Sequence, residues 1–218
     1  MDVTDILNAL NPAADPARAE QMAAYMKHRF SFLGIPTPER RRLIKSLIRA
    51  GRGQPLDWHF MEDCWANPYR ELQYVATDYL RSRQSQLNER DLPRLQGFMV
   101  RRAWWDSVDA FIGPLGHLVQ RCPAVRPEII AMAQAEDFWL RRAAITCQLL
   151  AKEQTDRGLL ATVLNHNLGA TEFFINKAMG WALRQYGKTD AAWVRAYLAE
   201  HRDGLSRLSV REASKYLD

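Results

Sequence analysis

The sequence has 218 residues, 47% hydrophobic and 25% charged, which is typical of a soluble globular protein and excludes a disordered or fibrous chain. Its formal net charge of +5 fits nucleic-acid binders but also many other moderately basic proteins. No apolar stretch approaches the ~18 residues of a membrane helix, and no basic secretory region begins the chain, so we expect a cytoplasmic protein. The three cysteines show no CxxC spacing, so we expect free thiols and no zinc site.

Helical periodicity runs through almost the whole chain, whereas the alternating pattern of a β-strand is nearly absent. Many of the helices have a start or stop signal, such as Asp-Pro or Thr-Pro at the beginning or a glycine after the end. The predicted helices cover 16–30, 37–50, 56–66, 69–82, 88–99, 104–119, 125–135, 137–152, 156–166, 171–186, a segment that begins at Asp190, and 206–217.

These helices fall into pairs that repeat every 30 to 40 residues or so, a period typical of HEAT-like helical arrays. We therefore predict an all-α fold: an α-solenoid of about six HEAT-like antiparallel helix pairs with a concave basic groove, forming a single domain over residues 1–218. The predicted helix pairs of the solenoid are 16–50, 56–82, 88–119, 125–152, 156–186 and 190–217. A globular helical bundle is the alternative fold.

A basic segment, ERRRLIKSLIRAGR, runs from Glu39 to Arg52 and contains six basic residues against one acid. The solvated face of an amphipathic helix would explain this composition, and so would a surface that contacts phosphate groups. Because both surfaces give the same residue pattern, both interpretations stay open on composition alone.

The stretch RRAWWDSVDAF (101–111) places two tryptophans directly before two aspartates. On a helix, Trp104 belongs to an apolar stripe and is expected in the core. Trp105 and Asp109 lie one turn apart on a neighbouring face, where a buried carboxylate must be paired or neutralised. Asp109 is therefore a candidate functional residue, with a place at the solvent boundary as the alternative. Asp106 is explained by the helix dipole, since it lies in the first turn.

Two later helices contain polar residues that do not fit their apolar surroundings. Arg142 lies in line with apolar residues, although a long arginine can reach solvent from such a position. Trp105 and Arg142 are 37 residues apart, and Arg142 and Trp181 are 39 apart, so a solenoid would bring all three to one groove wall. Beside Trp181 runs a stripe with two cations and a mid-helix glycine, for which a packing or functional reason is expected. The stripe consists of Phe173, Lys177, Gly180 and Arg184.

Four stretches of the chain carry a family resemblance: YMKHRFSFLGIPTPERR (25–41), WWDSVD (104–109), FWLRRAAI (138–145) and FFINKAMGWALRQY (173–186). In this order they resemble the AlkD-like DNA alkylation-repair glycosylases, a family built from HEAT-like repeats, and the similarity spans essentially the whole chain. In that family the catalytic carboxylate is the last Asp of the WWDSVD-like motif, which implies Asp109. The resemblance also implies that Trp105 and Trp181 face the sugar of the lesion and that Arg142 lies in the catalytic cleft, with Arg141 as the alternative register.

The resemblance implies excision of cationic N3- and N7-alkylated purines, such as 3-methyladenine and 7-methylguanine, from duplex DNA without flipping the base into a pocket. A purine that already carries positive charge needs no general acid to leave. A carboxylate and two indoles can stabilise the oxocarbenium-like sugar that remains. We expect a monofunctional hydrolase without a metal or other cofactor, because the sequence has no clustered His or Cys ligands.

The expected partner is double-stranded DNA that contains alkylated bases, bound by a monomer that does not associate with membranes. Two alternatives stay open: a helical-repeat scaffold for a protein partner, and a DNA-binding relative that recognises structure without cleaving the glycosidic bond. The first would not need Asp109 among tryptophans. The residues expected to contact DNA are Tyr25, Thr37, Arg40 and Arg41 near the N-terminus, and Phe173, Lys177, Gly180 and Arg184 in the later stripe.

Overall fold

The computed structural model describes residues 1–51 and 53–217, which form α-helices and short 3₁₀ turns without a β-strand. The all-α prediction is confirmed. Arg52, the last residue of the basic segment, lies outside the described residues. The chain divides into two compact units, Met1–Gln86 and Leu87–Asp218. None of the described helices is both long and apolar enough to cross a membrane.

The first unit includes a short helix that the sequence analysis did not predict, since it placed the first helix at residue 16. Asp2 caps this helix through a 2.9 Å hydrogen bond from the backbone N–H of Thr4. Ile6 and Leu10, one turn apart, are fully buried on one face of it. The helices of this unit are α1 (Val3–Leu10), α2 (Pro16–Tyr25), α3 (Thr37–Ala50), α4 (Trp58–Ala66) and α5 (Arg70–Ser82).

Helix α2 ends five residues earlier than predicted, because Lys27 and His28 adopt the left-handed conformation, with φ of 57° and 54°.

The loop between α2 and α3 is held by a buried glutamate. Glu71 on α5 is fully buried, and its carboxylate accepts hydrogen bonds of 3.0 to 3.2 Å from the backbone N–H groups of residues 33 to 35. These charge-assisted bonds fix the loop that leads into α3.

The second unit arranges four helices side by side. Helix α7 packs against α10, α10 against α12, and α12 against α14; we call these four the site row. One face of α12 lies in the core, because Ile175, Met179, Ala182 and Tyr186 are all buried. The helices of this unit are α6 (Leu92–Val100), α7 (Trp105–Asp109), α8 (Ile112–Arg121), α9 (Arg126–Ala133), α10 (Phe138–Thr146), α11 (Arg157–Asn165), α12 (Phe173–Gly187), α13 (Ala191–Glu200) and α14 (Arg207–Ala213).

The helix predicted at 104–119 is two helices, α7 and α8. Pro114 has no N–H to donate to the carbonyl of Ala110, so a continuous helix would lose a backbone hydrogen bond at that point. The chain breaks at Ala110 and Phe111 instead. The hydroxyl of Ser107 accepts a 3.3 Å bond from the N–H of Trp104 and closes the start of α7. As a result Asp109 stands at the end of a short helix.

The helix predicted at 137–152 is also shorter in the structure, where α10 ends at Thr146. Lys152 has a φ of 51°, a conformation that a continuous right-handed helix excludes. Gln148, beyond the end of α10, is buried and binds the backbone of Asp156 through its amide group. These two hydrogen bonds connect the segment that follows α10 to the start of α11.

Replacing Gly34 by alanine should destabilise the protein far more than replacing Gly53, although both glycines have a φ of 85°. A Cβ at position 34 would overlap the carbonyl oxygen of Asp15 and lie 2.7 Å from the nitrogen of Ala19, whereas a Cβ at position 53 meets nothing within 4 Å. We expect Gly53→Ala to cost about 1 kcal/mol and Gly34→Ala more than ~4 kcal/mol. Urea unfolding compares the two variants, and equal losses would contradict the close packing of the loop on α2.

Candidate active site

Asp109 and Arg142 form an ion pair with two hydrogen bonds. Asp109 is the last residue of α7, and Arg142 lies in α10, which packs against it. The Nε of Arg142 donates to Oδ1 of Asp109 and its Nη2 donates to Oδ2, both at 2.8 Å. This parallel arrangement fixes the orientation of both side chains. Arg142, and not its neighbour Arg141, is thus the arginine that contacts the aspartate.

Most of this ion pair is shielded from solvent. The exposed fraction of the side chain is 16% for Asp109 and 5% for Arg142. Burial raises the pKa of the Asp109 carboxyl above its ordinary value; the bonds and charge of Arg142 oppose this rise, and the charge of Asp106 adds a little to it. The carboxylate therefore presents an oriented negative charge in surroundings where water screens it weakly.

Arg142 also connects α10 to α12. Its Nη1 donates to the backbone carbonyl oxygen of Phe174 at 2.8 Å. Its Cζ lies 6.0 Å from the ring centroids of both Phe174 and Trp181. Because one guanidinium binds α7 and α12 from α10, it sets the position of Asp109 relative to Trp181.

Trp105 and Trp181 are both only partly buried. Trp105 is the first residue of α7, one turn before Asp109, and Trp181 lies in the middle of α12. Part of each indole therefore stays accessible to a ligand, while the rest packs against the protein. The structure places these two residues, with Asp109 and Arg142, on three consecutive helices of the site row.

A cluster of aromatic rings includes Phe174, the residue whose backbone carbonyl Arg142 contacts. The ring of Trp104 lies 5.7 Å from that of Trp139 and 5.2 Å from that of Phe174, and Phe138 lies 4.5 Å from Trp139. Trp104 is buried, so its expected core role is confirmed. The sequence analysis missed the other three, because aromatic residues at helical spacing have the pattern of ordinary core.

A buried glutamate on α14 binds both cations of the α12 stripe. Glu212 Oε1 lies 2.9 Å from Nζ of Lys177, and Oε2 lies 2.7 Å from Nη1 of Arg184. Lys215 adds a third ion pair at 3.0 Å. Hydrogen bonds from Lys177 and Lys215 lower the pKa of Glu212 to about 2, so it is ionised at neutral pH. We call these four residues the Glu212 cluster; the sequence analysis did not identify Glu212.

The glycine of the stripe is explained by packing. A Cβ at Gly180 would lie 2.6 Å from the Cβ of Glu212 and 2.8 Å from the carbonyl oxygen of Ser209. The close approach that a glycine permits is therefore made by α14, and the structure does not support a DNA contact by Gly180. Phe173, at the start of the same helix, is in contrast an exposed aromatic residue.

In the first unit, the residues expected to contact DNA differ in exposure. Tyr25, Thr37 and Arg41 are exposed, and the guanidinium of Arg41 lies 2.7 Å from a carboxylate oxygen of Asp78. Arg40 requires a correction: its side chain is buried, and its Nη2 lies 3.1 Å from the same carboxylate. A buried guanidinium that is already paired is not available to a phosphate at the surface, so the structure does not support a DNA contact by Arg40.

Within residues 1–51 and 53–217, no group of three or more His, Cys, Asp or Glu side chains is placed to hold a metal ion. The thiols of Cys64, Cys122 and Cys147 are unpaired. Burial raises the pKa of Cys64 and raises that of Cys147 to about 12, which makes both poor nucleophiles.

The chemistry that the site row offers is stabilisation of positive charge. Asp109 supplies a fixed negative charge, and indole faces attract cations. A carboxylate that receives two hydrogen bonds still has lone pairs that can orient a water molecule. The arrangement therefore suits a reaction in which positive charge develops and water attacks.

The sequence matches the family model described as "DNA alkylation repair enzyme" over residues 6–217. It is also similar to a solved structure described as a predicted DNA alkylation repair enzyme from Enterococcus faecalis. The two are 39% identical, with a TM-score of 0.87 over 94% of this chain and 96% of the other. No curated protein matches the chain. The two matches thus cover nearly every residue of both units.

Replacing Arg142 by glutamine should raise the pKa of Asp109 further, because the substitution removes the charge and the bonds that oppose the effect of burial. Arg141→Gln is the matched control and should leave this pKa unchanged, since Asp109 pairs with Arg142. An NMR titration that follows the carboxyl carbon of Asp109 gives this pKa in the wild type, in Arg142→Gln and in Arg141→Gln. A pKa that is the same in wild type and Arg142→Gln would contradict the ion pair.

Proposed function

The chain belongs to the DNA alkylation repair enzyme family, and from this premise we propose that it is a monofunctional DNA glycosylase. It hydrolyses the N-glycosidic bond of cationic N3- and N7-alkylated purines, such as 3-methyladenine and 7-methylguanine, in double-stranded DNA without flipping the base into a pocket. The observation that carries the proposal is the buried, two-point ion pair of Asp109 with Arg142 beside the part-exposed Trp181.

The proposed reaction begins with loss of the base. An alkylated purine already carries positive charge, so the bond between C1′ and the base breaks with its electron pair going to the base, and no acid is needed. The sugar is left as an oxocarbenium-like cation, which the charge of Asp109 and the faces of Trp105 and Trp181 stabilise. Water then attacks C1′ and releases a proton to Asp109 or to solvent, which leaves an abasic site and a free base.

Arg142 acts through Asp109 in this proposal. A carboxylate in a largely buried position would be protonated more readily, and the guanidinium opposes protonation while it holds both oxygens in place. The electrostatic stabilisation is therefore organised before the substrate binds, which is the condition under which it is most effective. A scaffold for a protein partner would need no such arrangement.

We propose that the enzyme is monomeric and that it binds the DNA backbone through basic, aromatic and hydroxyl side chains. The proposal is supported by their exposure, since each of these side chains is exposed or partly exposed. Unpaired thiols favour a reducing compartment, and we therefore place the enzyme in the cytoplasm. The proposed DNA contacts are Tyr25, Thr37 and Arg41 in the first unit, and Phe173, Lys177 and Arg184 in the second.

Asp109→Asn should slow the release of 7-methylguanine from methylated duplex DNA by up to about 10²–10³-fold, because it removes one preorganised charge while keeping the shape of the side chain. The loss can be smaller, since the leaving group is already activated. Single-turnover release by purified protein is the measurement.

Asp106→Asn is the matched control, because it removes a carboxylate from the same helix that does not bind Arg142. It should release the base at nearly the wild-type rate, with a stability change of up to about 1 kcal/mol. Melting temperatures confirm that all variants are folded. Equal rates for wild type and Asp109→Asn, or a larger defect in Asp106→Asn, would refute the assignment of Asp109.

A further inference from the structure

The Glu212 cluster contains more positive than negative charge. Three cations, Lys177, Arg184 and Lys215, surround one carboxylate, so two positive charges remain without a counterion within the cluster. The side chain of Glu212 is only 4% exposed, whereas the side chains of Lys177, Arg184 and Lys215 are 39%, 23% and 46% exposed. Each cation therefore has one side bound to the protein interior and another side directed to solvent, where an anion can reach it.

The cluster lies next to the candidate active site. On α12, Lys177 and Arg184 stand one turn on either side of Trp181, at spacings of four and three residues. Trp181 in turn lies 6.0 Å from the guanidinium carbon of Arg142. A strand of DNA whose sugar faces Trp181 would thus bring its neighbouring phosphates to these two cations.

We propose that Glu212 is a positioning residue: it holds Lys177 and Arg184 on both sides of Trp181, with Lys215 beside them, as a binding site for the phosphodiester groups that flank the lesion. The inference rests on the proposed function for the identity of the ligand. Glu212 does not contact the DNA in this arrangement, and it acts through the cations that it orients.

Ion pairing to a buried carboxylate restricts long, flexible side chains before DNA arrives. Fixed cations lose less conformational entropy on binding a phosphate than free ones do. Gly180 lets α14 approach α12 closely, and this approach brings the side chain of Glu212 to Lys177 and Arg184 on α12. Only a glycine at this position leaves room for the Cβ of Glu212.

Glu212→Gln separates positioning from simple charge. The substitution keeps the shape of the side chain but makes the cluster more positive, so an effect of net charge alone would tighten DNA binding. Loss of positioning would weaken it. The two effects have opposite signs, and a purely structural role would lower the melting temperature without changing the affinity of the folded protein.

The measurement is the affinity for an undamaged duplex, by fluorescence anisotropy over a series of salt concentrations. We expect Glu212→Gln to bind about 3–10-fold more weakly than wild type near 0.1 M salt, with a slope of log K against log salt that is flatter by about one. The matched control is Glu200→Gln on the exposed surface of α13, which also removes one negative charge from the second unit. It should bind DNA as tightly as wild type or slightly more tightly.

A second experiment asks whether Glu212 acts through its cations. In the Lys177→Met, Arg184→Met background, Glu212→Gln should cause a smaller loss of affinity than in the wild type, because only Lys215 is left for it to position. An undiminished loss in this background, or unchanged or tighter binding by Glu212→Gln alone, would overturn the proposal. If Glu212→Gln does not fold, Glu212→Asp, which keeps the charge but withdraws it from the cations, is read in the same way.

Binding to undamaged DNA does not require base release, so the two proposals fail separately. A wild-type protein that binds DNA but releases no alkylated base refutes the glycosylase and leaves the Glu212 test intact. A wild-type protein that does not bind the duplex overturns the inference about Glu212.

Discussion

The guanidinium of Arg142 binds three oxygen atoms at once: both carboxylate oxygens of Asp109 and the backbone carbonyl of Phe174. One side chain in α10 therefore fixes the end of α7 and the start of α12. Removal of either charged partner would leave the other charge buried and unpaired, which typically costs about 3–5 kcal/mol. Apolar residues of similar volume would often be at least as stable in such a place. A fold that buries this ion pair beside two part-exposed indoles is thus organised for electrostatics as well as for stability.

The same principle recurs along the site row. Glu212 on α14 binds two cations of α12, as Arg142 binds α7 and α12 from α10. Both arrangements lie where helices pack closely: Gly180 admits α14, and the ring of Phe174, whose carbonyl Arg142 contacts, packs against that of Trp104. In the proposed function, α7 presents the negative charge of Asp109 to the sugar, and α12 presents the positive charges of Lys177 and Arg184 to the phosphates.

The sequence predicted those features that depend on local pattern. Helical periodicity indicated an all-α fold, and the apolar stripe of Trp104 indicated its burial. Recurrence of unusual residues at the repeat length, together with the family resemblance, brought Asp109 and Arg142 into one site. The pairs Arg40–Asp78 and Arg184–Glu212 were not predicted, because they join residues 38 and 28 positions apart on different helices and leave no local signature.

The helix boundaries show the same limit in a different form. The sequence analysis predicted one helix over 104–119. Pro114 has no N–H for the carbonyl of Ala110, and the chain breaks there into α7 and α8. Gly180 was correctly singled out as a glycine with a packing or functional reason, and the reason is packing. Its partner, α14, could not be identified from spacing, since the contact depends on how the pairs stack.

The most direct test of the account is a double-mutant cycle on the rate of 7-methylguanine release, with Asp109→Asn, Arg142→Gln and the two combined. If Arg142 acts by holding and ionising Asp109, the double variant should be no slower than Asp109→Asn alone, within about twofold, because residues that act as a unit are not additive. If the two substitutions instead slow the reaction independently, so that the double variant shows the product of the two single effects, the ion pair is not the functional unit of the site.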